Sequence, residues 1–309
     1  AKTYNDYPGA EVFSYKSGNL MKEYYEEGIF VGYRYFDTFQ IPVRYGFGYG
    51  LSYTDFAITA GAVSVSDLGT MDPKVSVEVT VKNSGDTYAG KEVVQIYVSC
   101  PEGELEKEAQ RLTAFQKTKV LAPGEKDELI LSFSLKDLTS YREADAVTVL
   151  EKGEYVVRIG NSSRNTRVCG ILRMEEEVIT EKHSHICKAP VRITEIEQNA
   201  EDMLHATCDC RQNWGKGCGI IIENVEQLRS IRIEKERIPV REHAYGPVKI
   251  YSSEETDAIM EKLTLRDMAE LSVGGGLTGA RFFEAPGAAG VSHRPPPFYR
   301  RQTPYRDRA

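Results

Sequence analysis

Hydrophobic and polar residues alternate along much of the chain between positions 74 and 163. A period of two residues predicts strands with one buried face, because successive side chains of a strand point to opposite sides. Three runs show it: VSVEVTVKN with Val75, Val77, Val79 and Val81 on one face, KEVVQIYVS with Val94, Ile96 and Val98 (Val93 and Tyr97 being apolar on the other), and DELILSFSL with Leu129, Leu131, Phe133 and Leu135.

Turn signals separate these runs. NSGD (83–86) follows the first, and LAPGEK (121–126) centres on Pro123-Gly124. In VTVLEKGEYVVRIGNSS we predict a hairpin around Lys152-Gly153. Several short strands with regular turns over roughly 100 residues are typical of immunoglobulin or fibronectin type III sandwiches. The fold class predicted is mainly β: an immunoglobulin/fibronectin III-like β-sandwich flanked by partial α/β pieces.

The pattern divides the chain into four zones. Residues 1–57 are rich in aromatic residues and glycine, residues 58–170 form the predicted sandwich, and residues 171–257 are a mixed linker region. The zone 258–309 opens a further domain and ends in a proline- and arginine-rich tail.

Two places favour helices. In the first zone the only helix-like piece is roughly 17–27 (SGNLMKEYYEE). Towards the last zone, SSEETDAIMEKL can begin a helix at Ser252 or Ser253, with carboxylates in the first turn where they suit the helix dipole. A second helix there would be ended by the glycines of GGGLTG (274–279).

Charge and cysteine content narrow the classes of function. The 309 residues carry a net charge of −7 with a pI near 5.5, which argues against a general nucleic-acid binder. No run approaches the roughly 18 apolar residues of a membrane helix, so we expect no membrane partner. The six cysteines are sparse and irregularly spaced, which favours reduced thiols and a cytoplasmic protein.

Residues 27–54, EGIFVGYRYFDTFQIPVRYGFGYGLSYT, combine nine aromatic residues with five glycines. Exposed rings of this kind can stack on sugars. The rings also alternate with apolar residues, which a loop packed between two domains explains equally well: Ile29, Val31, Ile41, Val43 and Leu51. We call residues 27–54 the aromatic segment.

Asp37 is the one acid in an aromatic setting, whereas most other carboxylates lie in polar runs that look solvated, such as PEGELEKEA (101–109). Arg34 stands three residues before Asp37 and can pair with it. We predict a structural contact that organises a loop, with direct contact to a substrate as the alternative.

Three other motifs give only weak evidence for a binding or modification site. The glycine cluster at 274–279 fits a dinucleotide pattern, but it follows a helix-like piece rather than a strand. Asn161-Ser162-Ser163 is a formal glycosylation site that we interpret as turn chemistry. Seven residues offer metal ligands but lack the paired spacing of structural zinc sites, so scattered loop side chains are predicted: His183, His185, Cys187, His205, Cys208, Cys210 and Cys218.

The motifs EGIFVGYRYFDT and YGFGYGLSYTDF resemble the end of the α/β sandwich domain in family 3 glycoside hydrolases of the β-glucosidase type. Arg44-Tyr45 stands where these enzymes usually have Phe-Pro. The runs VTVKNSGDTYAGKEVVQIYV, LAPGEKDELILSFSL and KGEYVVRIGNSS resemble the fibronectin type III-like domain that follows in the family. The resemblance covers about residues 4–165.

LTLRDMAELSVGGG and APGAAGVSH look like the opening of the (β/α)8 barrel domain in a permuted branch of this family. The resemblance therefore implies the end of an α/β sandwich domain (1–57), a fibronectin-like domain (58–170), a linker and the start of a barrel (258–309). The tail HRPPPFYRRQTPYRDRA departs from the family. We expect a reading-frame break near Ser292–Arg294, with a natural disordered tail as the alternative.

Retaining glycosidases use two carboxyl groups about 5 Å apart. The resemblance places the nucleophile late in the barrel and the acid/base upstream of the aromatic segment, so no residue here matches either. We predict no catalytic, cofactor-binding or metal-binding residue and no cofactor. The parent would take a β-linked oligosaccharide or glucoside as substrate, and this chain alone would be inactive. The alternative is a stand-alone β-sandwich that binds a glycan or a protein.

Overall fold

The computed structural model describes residues 1–11, 25–185, 194–198, 220–222, 230–243 and 254–264. The chain divides into two compact units, residues 1–244 and 245–309. Except for one helix of the second unit, every element below belongs to the first. No helix among the described residues is long and apolar enough to cross a bilayer.

Strands dominate the first unit, as predicted. In chain order they are β1 (Phe56–Ser66), β2 (Lys74–Asn83), β3 (Val93–Ser99), β4 (Arg111–Lys117), β5 (Lys126–Ser134), β6 (Ser140–Arg142), β7 (Val147–Leu150), β8 (Gly153–Ser162), β9 (Asn165–Met174), β10 (Val178–Lys182), β11 (Ile220–Ile222), β12 (Ser230–Ile233) and β13 (Arg241–Glu242). The helices are α1 (Tyr33–Thr38) and, in the second unit, α2 (Glu254–Met260), with short 3-10 turns at Tyr4–Asp6, Pro8–Glu11, Leu135–Leu138 and Lys235–Arg237.

The strands form three sheets, with orders β11-β1-β2-β5, β12-β9-β8-β3-β4 and β13-β10-β7-β6. Residues of the first two sheets share one hydrophobic core, so these sheets make the two layers of a sandwich. The three short strands β11, β12 and β13 pair in parallel with β1, β9 and β10. Part of the region predicted as a mixed linker therefore extends the sheet edges.

The predicted alternation is confirmed in the core. Val75, Val77, Val79 and Val81 are all buried, and they face the core together with Leu129, Leu131 and Phe133 of the neighbouring β5. The antiparallel register sets Val77 opposite Leu131. On the outer face Ser76 and Ser132 share a hydrogen bond of 2.8 Å. One face of β2 and one face of β5 are thus apolar because they meet the opposite sheet.

The hairpin predicted at Lys152-Gly153 is wrong. β7 pairs with β6 and β10, whereas β8 pairs with β3 and β9, so the chain changes sheets between them. Gly153 has a φ of 140° and lies against Pro101 with no room for a Cβ. The true hairpin joins β8 to β9 through Ser163 and Arg164, because Ser162 pairs with Asn165. A turn signal indicates a change of direction, but it does not specify which strands pair.

The first zone contains a helix that its pattern does not indicate. Of the predicted helical piece 17–27, residues 17–24 lie outside the described residues and residues 25–27 are not helical. The helix present is α1, which has only six residues. So short a helix shows no clear period and depends on tertiary contacts for its stability.

The described part of the second unit contains α2, which confirms the helix predicted from SSEETDAIMEKL. Several other predictions fall outside the described residues: the caps Ser252 and Ser253, the second helix, the glycine cluster 274–279, the proline- and arginine-rich tail, His205, and the cysteines 187, 208, 210 and 218.

Candidate functional site

The aromatic segment begins as a packed structure. Phe30 and Phe36 are buried, and the Phe30 ring meets the edge of Phe39 at a centroid distance of 5.1 Å. Phe36 also packs against Tyr7 at 5.3 Å with nearly perpendicular rings. Edge-to-face contacts of this kind are the preferred geometry of aromatic pairs. The first half of the segment is therefore held by its own rings.

Tyr33 fastens this half to the sandwich. Its hydroxyl oxygen accepts a 2.8 Å hydrogen bond from the Leu112 backbone N–H, at the start of β4. Its ring stacks on Phe47 at 4.6 Å and meets the edge of Tyr97 at 6.1 Å. Tyr97 is fully buried on β3, and desolvation raises the pKa of its hydroxyl far above the ordinary value. The ring of Tyr33 thus links α1 to β3 and to residues 46–50, which we call the glycine-rich stretch.

Gln95 connects the same strand to the glycine-rich stretch. Its side-chain nitrogen donates to the Asn161 carbonyl at 2.7 Å and to the Gly48 carbonyl at 3.4 Å. Its side-chain oxygen accepts from the Tyr97 hydroxyl at 2.6 Å. Gly48 has a φ of 78°, and a Cβ there would overlap the Gln95 amide. Glycine at position 48 is therefore required by both backbone conformation and close approach.

Asp37 is buried, and its Oδ1 accepts a 2.6 Å hydrogen bond from Arg164 Nε in the β8–β9 hairpin. The same guanidinium donates to the Phe36 carbonyl at 2.9 Å and the Ile41 carbonyl at 3.2 Å. It therefore pairs with the acid and also satisfies carbonyls at the end of α1, as the structural reading of Asp37 predicted. Asp37 Oδ2 is buried and has no hydrogen-bond partner among the described residues.

The predicted partner of Asp37 was wrong. Arg34 lies near Glu108 instead, with a distance of 3.7 Å from its Nε to Oε1. The Arg34 side chain is 41% exposed, whereas that of Asp37 is 3% exposed, so the two do not share an environment. The spacing of three residues suggested that Arg34 pairs with Asp37, but the positive charge comes from Arg164, which is distant in the sequence.

The acidic run 101–109 is not uniformly solvated. Glu108 is buried and bonded to Arg111, with a distance of 2.7 Å between Oε1 and the guanidinium Nε. Lys107 is also buried and forms an ion pair with Glu151, whose Oε1 accepts from the Glu104 backbone N–H at 2.7 Å. The Ala109 N–H in turn donates to Thr38 Oγ1 at 2.9 Å. Residues 101–109 therefore form an ordered loop that contacts the end of α1.

The later half of the aromatic segment is open to solvent. Tyr45 and Tyr49 lie side by side at a centroid distance of 5.1 Å and are both more than half exposed. Tyr53 is 92% exposed and lies 6.3 Å from Tyr88. The two interpretations of the segment thus apply to different halves, since the first is packed and the second offers free ring faces.

Nucleophilic and metal chemistry has few candidates in the described part of the chain. Burial raises the pKa of the Cys169 thiol to about 12 and that of Cys100 to about 11, so neither is an activated thiolate. Of the histidines that were considered as metal ligands and interpreted as scattered loop side chains, His185 is exposed, whereas His183 lies with Glu181 and His243 in one cluster.

Comparison with known proteins connects these features to a family. The model of the fibronectin type III-like domain matches residues 92–163, from the start of β3 to the β8–β9 hairpin. A β-glucosidase of Ruminococcus albus is 39% identical over 183 residues, covering 57% of this chain and 18% of that protein. A β-glucosidase of Kluyveromyces marxianus is 43% identical over 140 residues, covering 45% of this chain and 16% of that protein.

Solved structures of β-glucosidases are also similar to this chain. A β-glucosidase of Paenibacillus barengoltzii aligns with a TM-score of 0.55 at 39% identity, over 59% of this chain and 20% of that one. β-Glucosidase 3B of Thermotoga neapolitana, in complex with glucose, aligns with a TM-score of 0.50 at 41% identity, over 57% and 24%. Over about half of its length, this chain is therefore similar to part of the β-glucosidases of glycoside hydrolase family 3. It spans less than a quarter of the length of these relatives.

Sequence reasoning did not assign a role to three residues that contact the aromatic segment. Gln95 and Tyr97 lie within the residues that match the fibronectin type III-like model, and Arg164 directly follows that match; all three contact the aromatic segment. These contacts therefore join the β-sandwich to the aromatic segment that precedes it in the chain. Among the residues of these contacts, only Gly48 could have been suspected from the sequence, because a glycine between large rings indicates that another group approaches the backbone closely.

Proposed function

We propose that this chain is part of a retaining β-glucosidase in which it supplies packing and orientation rather than catalytic groups. The observation that carries the proposal is the Asp37–Arg164 pair, which ties the aromatic segment to the fibronectin-like domain. The names of the relatives, one of them solved in complex with glucose, support a β-linked glucoside as substrate of the whole enzyme.

The buried acids around the aromatic segment are committed to other partners. Asp37 pairs with Arg164, Glu108 with Arg111, and Glu151 with Lys107. A double-displacement mechanism needs one carboxylate free to attack the anomeric carbon and a second free to exchange a proton, about 5 Å apart. Carboxylates held in ion pairs are poorly suited to either task. This commitment supports the proposal, implied by the family resemblance, that both catalytic carboxylates lie outside this chain and that the chain alone is inactive.

The chain's own contribution is to hold a loop in one conformation. Tyr33 of the aromatic segment accepts a hydrogen bond from Leu112 of the sandwich, and Gln95 and Arg164 bind the segment through a hydrogen bond and an ion pair. Fixing side chains near a site reduces the reorganisation needed during the reaction. We therefore expect the packed half of the segment to orient neighbouring parts of the whole enzyme.

The test is hydrolysis of p-nitrophenyl β-glucoside by the purified chain. The expected rate equals that of buffer at every protein concentration. Turnover that scales with protein and persists through successive purification steps would overturn the claim of inactivity.

The exposed Tyr45–Tyr49 pair favours a second candidate, a module that binds glycans without cleaving them. Sugar rings bury their C–H faces on such aromatic surfaces. Calorimetric titration with cello-oligosaccharides tests this, with Tyr45→Ala and Tyr49→Ala as the variants that should abolish the heat. Absence of any heat with the unaltered chain would eliminate the candidate.

A further inference from the structure

Glu181, His183 and His243 come together at the edge of the third sheet. Glu181 lies on β10, His183 follows that strand directly, and His243 follows β13. The two strands pair in parallel, and the His243 N–H extends the pairing by donating to the Lys182 carbonyl at 3.0 Å. The His183 N–H donates to the Ala146 carbonyl at 2.8 Å. The backbone at both histidines is thus fixed by hydrogen bonds.

One carboxylate oxygen faces both imidazoles. Glu181 Oε2 lies 3.1 Å from His243 Nε2 and 3.7 Å from His183 Nε2, and the three possible ligand atoms lie within 4.8 Å of one another. Two ligands of a tetrahedral zinc ion, each at about 2.0–2.2 Å, are separated by roughly 3.3–3.5 Å. Both measured distances lie close to that separation.

The other oxygen of Glu181 is already supported. Oε1 accepts from Lys136 Nζ at 3.2 Å, and Arg241 lies 4.0 Å from it. A metal-binding carboxylate is commonly oriented in this way, through hydrogen bonds to the group that binds the ion.

His183 supplies the observation that points to a ligand. Its Nε2 is buried and has no hydrogen-bond partner among the described residues. A buried polar atom left without a partner is costly, and native structures seldom keep one without a reason. An ion beside Glu181 Oε2 would satisfy this nitrogen.

Closing the site requires a small movement. The rings of His183 and His243 are stacked at a centroid distance of 4.7 Å with an angle of 11°, so their nitrogen lone pairs do not yet converge. The His243 side chain is 32% exposed, and we infer that its ring turns towards the carboxylate when an ion binds. The positively charged Lys136 and Arg241 lie 3.2 Å and 4.0 Å from Glu181 Oε1, and their repulsion should lower the affinity of the site for a cation.

We propose that Glu181, His183 and His243 bind a divalent cation of the zinc class. Two imidazoles and one carboxylate suit zinc and its late transition-metal neighbours, whereas calcium and magnesium prefer an all-oxygen site. The ion would link the end of β13 to β10. This site is independent of sugar cleavage, and sequence reasoning missed it because Glu181 and His243 are 62 residues apart.

The experiment uses the full chain, stripped with a chelator and with its thiols alkylated, because cysteines are competing ligands. Calorimetric titration with Zn²⁺ should give one equivalent bound. Substitution of Co²⁺ should give absorption from a nitrogen and oxygen site without thiolate charge transfer. His183→Ala and His243→Ala should each weaken binding by about 100-fold or more. His185→Ala, two residues from His183 and exposed, is the matched control and should bind as the unaltered chain does.

A second measurement avoids any folding defect of the variants. In the unaltered chain, stoichiometric Zn²⁺ should shift the ring resonances of two of the five histidines in the NMR spectrum. The resonance that disappears in His185→Ala should not be one of them. No bound Zn²⁺, binding that survives both His183→Ala and His243→Ala, or a shift of the His185 resonance alone would each overturn the proposal.

Discussion

Arg164 Nε lies 2.6 Å from Asp37 Oδ1, although the two residues are 127 positions apart in the sequence. The pair joins the end of α1 to the β8–β9 hairpin, and the guanidinium also binds two carbonyls of the aromatic segment. Loss of the arginine would leave a buried carboxylate without compensation. The contact therefore stabilises the packed half of the segment more than an exposed ion pair would.

Arg164→Met should lower the free energy of unfolding by about 3 kcal/mol, because the buried Asp37 charge loses its partner. Urea denaturation measures the loss. Limited proteolysis should also show faster cleavage within residues 27–54.

The matched control is Arg34→Met, which removes the same charge from the neighbouring helix. Arg34 is 41% exposed and 3.7 Å from Glu108, so its loss should cost less than about 1 kcal/mol. Equal effects of the two substitutions would contradict the assignment of Arg164 as the partner of Asp37.

Gly48→Ala should destabilise the fold by more than about 1 kcal/mol, because its φ of 78° disfavours a Cβ and the Gln95 amide occupies the space. Thermal unfolding measures the effect. Gly50→Ala is the control, since nothing lies within 4 Å of a Cβ there. A melting temperature unchanged by Gly48→Ala would show that the glycine is not required.

The sequence allowed the sandwich to be predicted, because alternation in β2 and β5 follows from burial of one strand face. It did not allow the change of sheet at Gly153 to be predicted, since periodicity does not specify a strand's partner. Arg164 and the Glu181 cluster were missed for a related reason. Each depends on residues brought together by the fold over long sequence separations.

Leu131→Ala should cost about 2–5 kcal/mol, because the side chain is 2% exposed in the core between the two sheets. The adjacent Ile130→Ala is a matched control on the same strand, with a side chain that is 65% exposed. Its cost should be less than about 1 kcal/mol. Comparable urea midpoints for the two variants would contradict the assignment of the strand's faces.

The buried thiol of Cys169 should make the folded state less stable as the pH becomes alkaline. Burial raises the pKa of its thiol from 9.0 to about 12, so the unfolded chain loses this proton at lower pH than the folded protein does. The contribution is fully present below pH 9 and declines as the pH rises towards 12. Between pH 8 and 10 the unaltered protein should lose about 1 kcal/mol more stability than Cys169→Ala does. Urea denaturation at both pH values measures the difference, and parallel losses in the two proteins would show that the thiol does not titrate in this way.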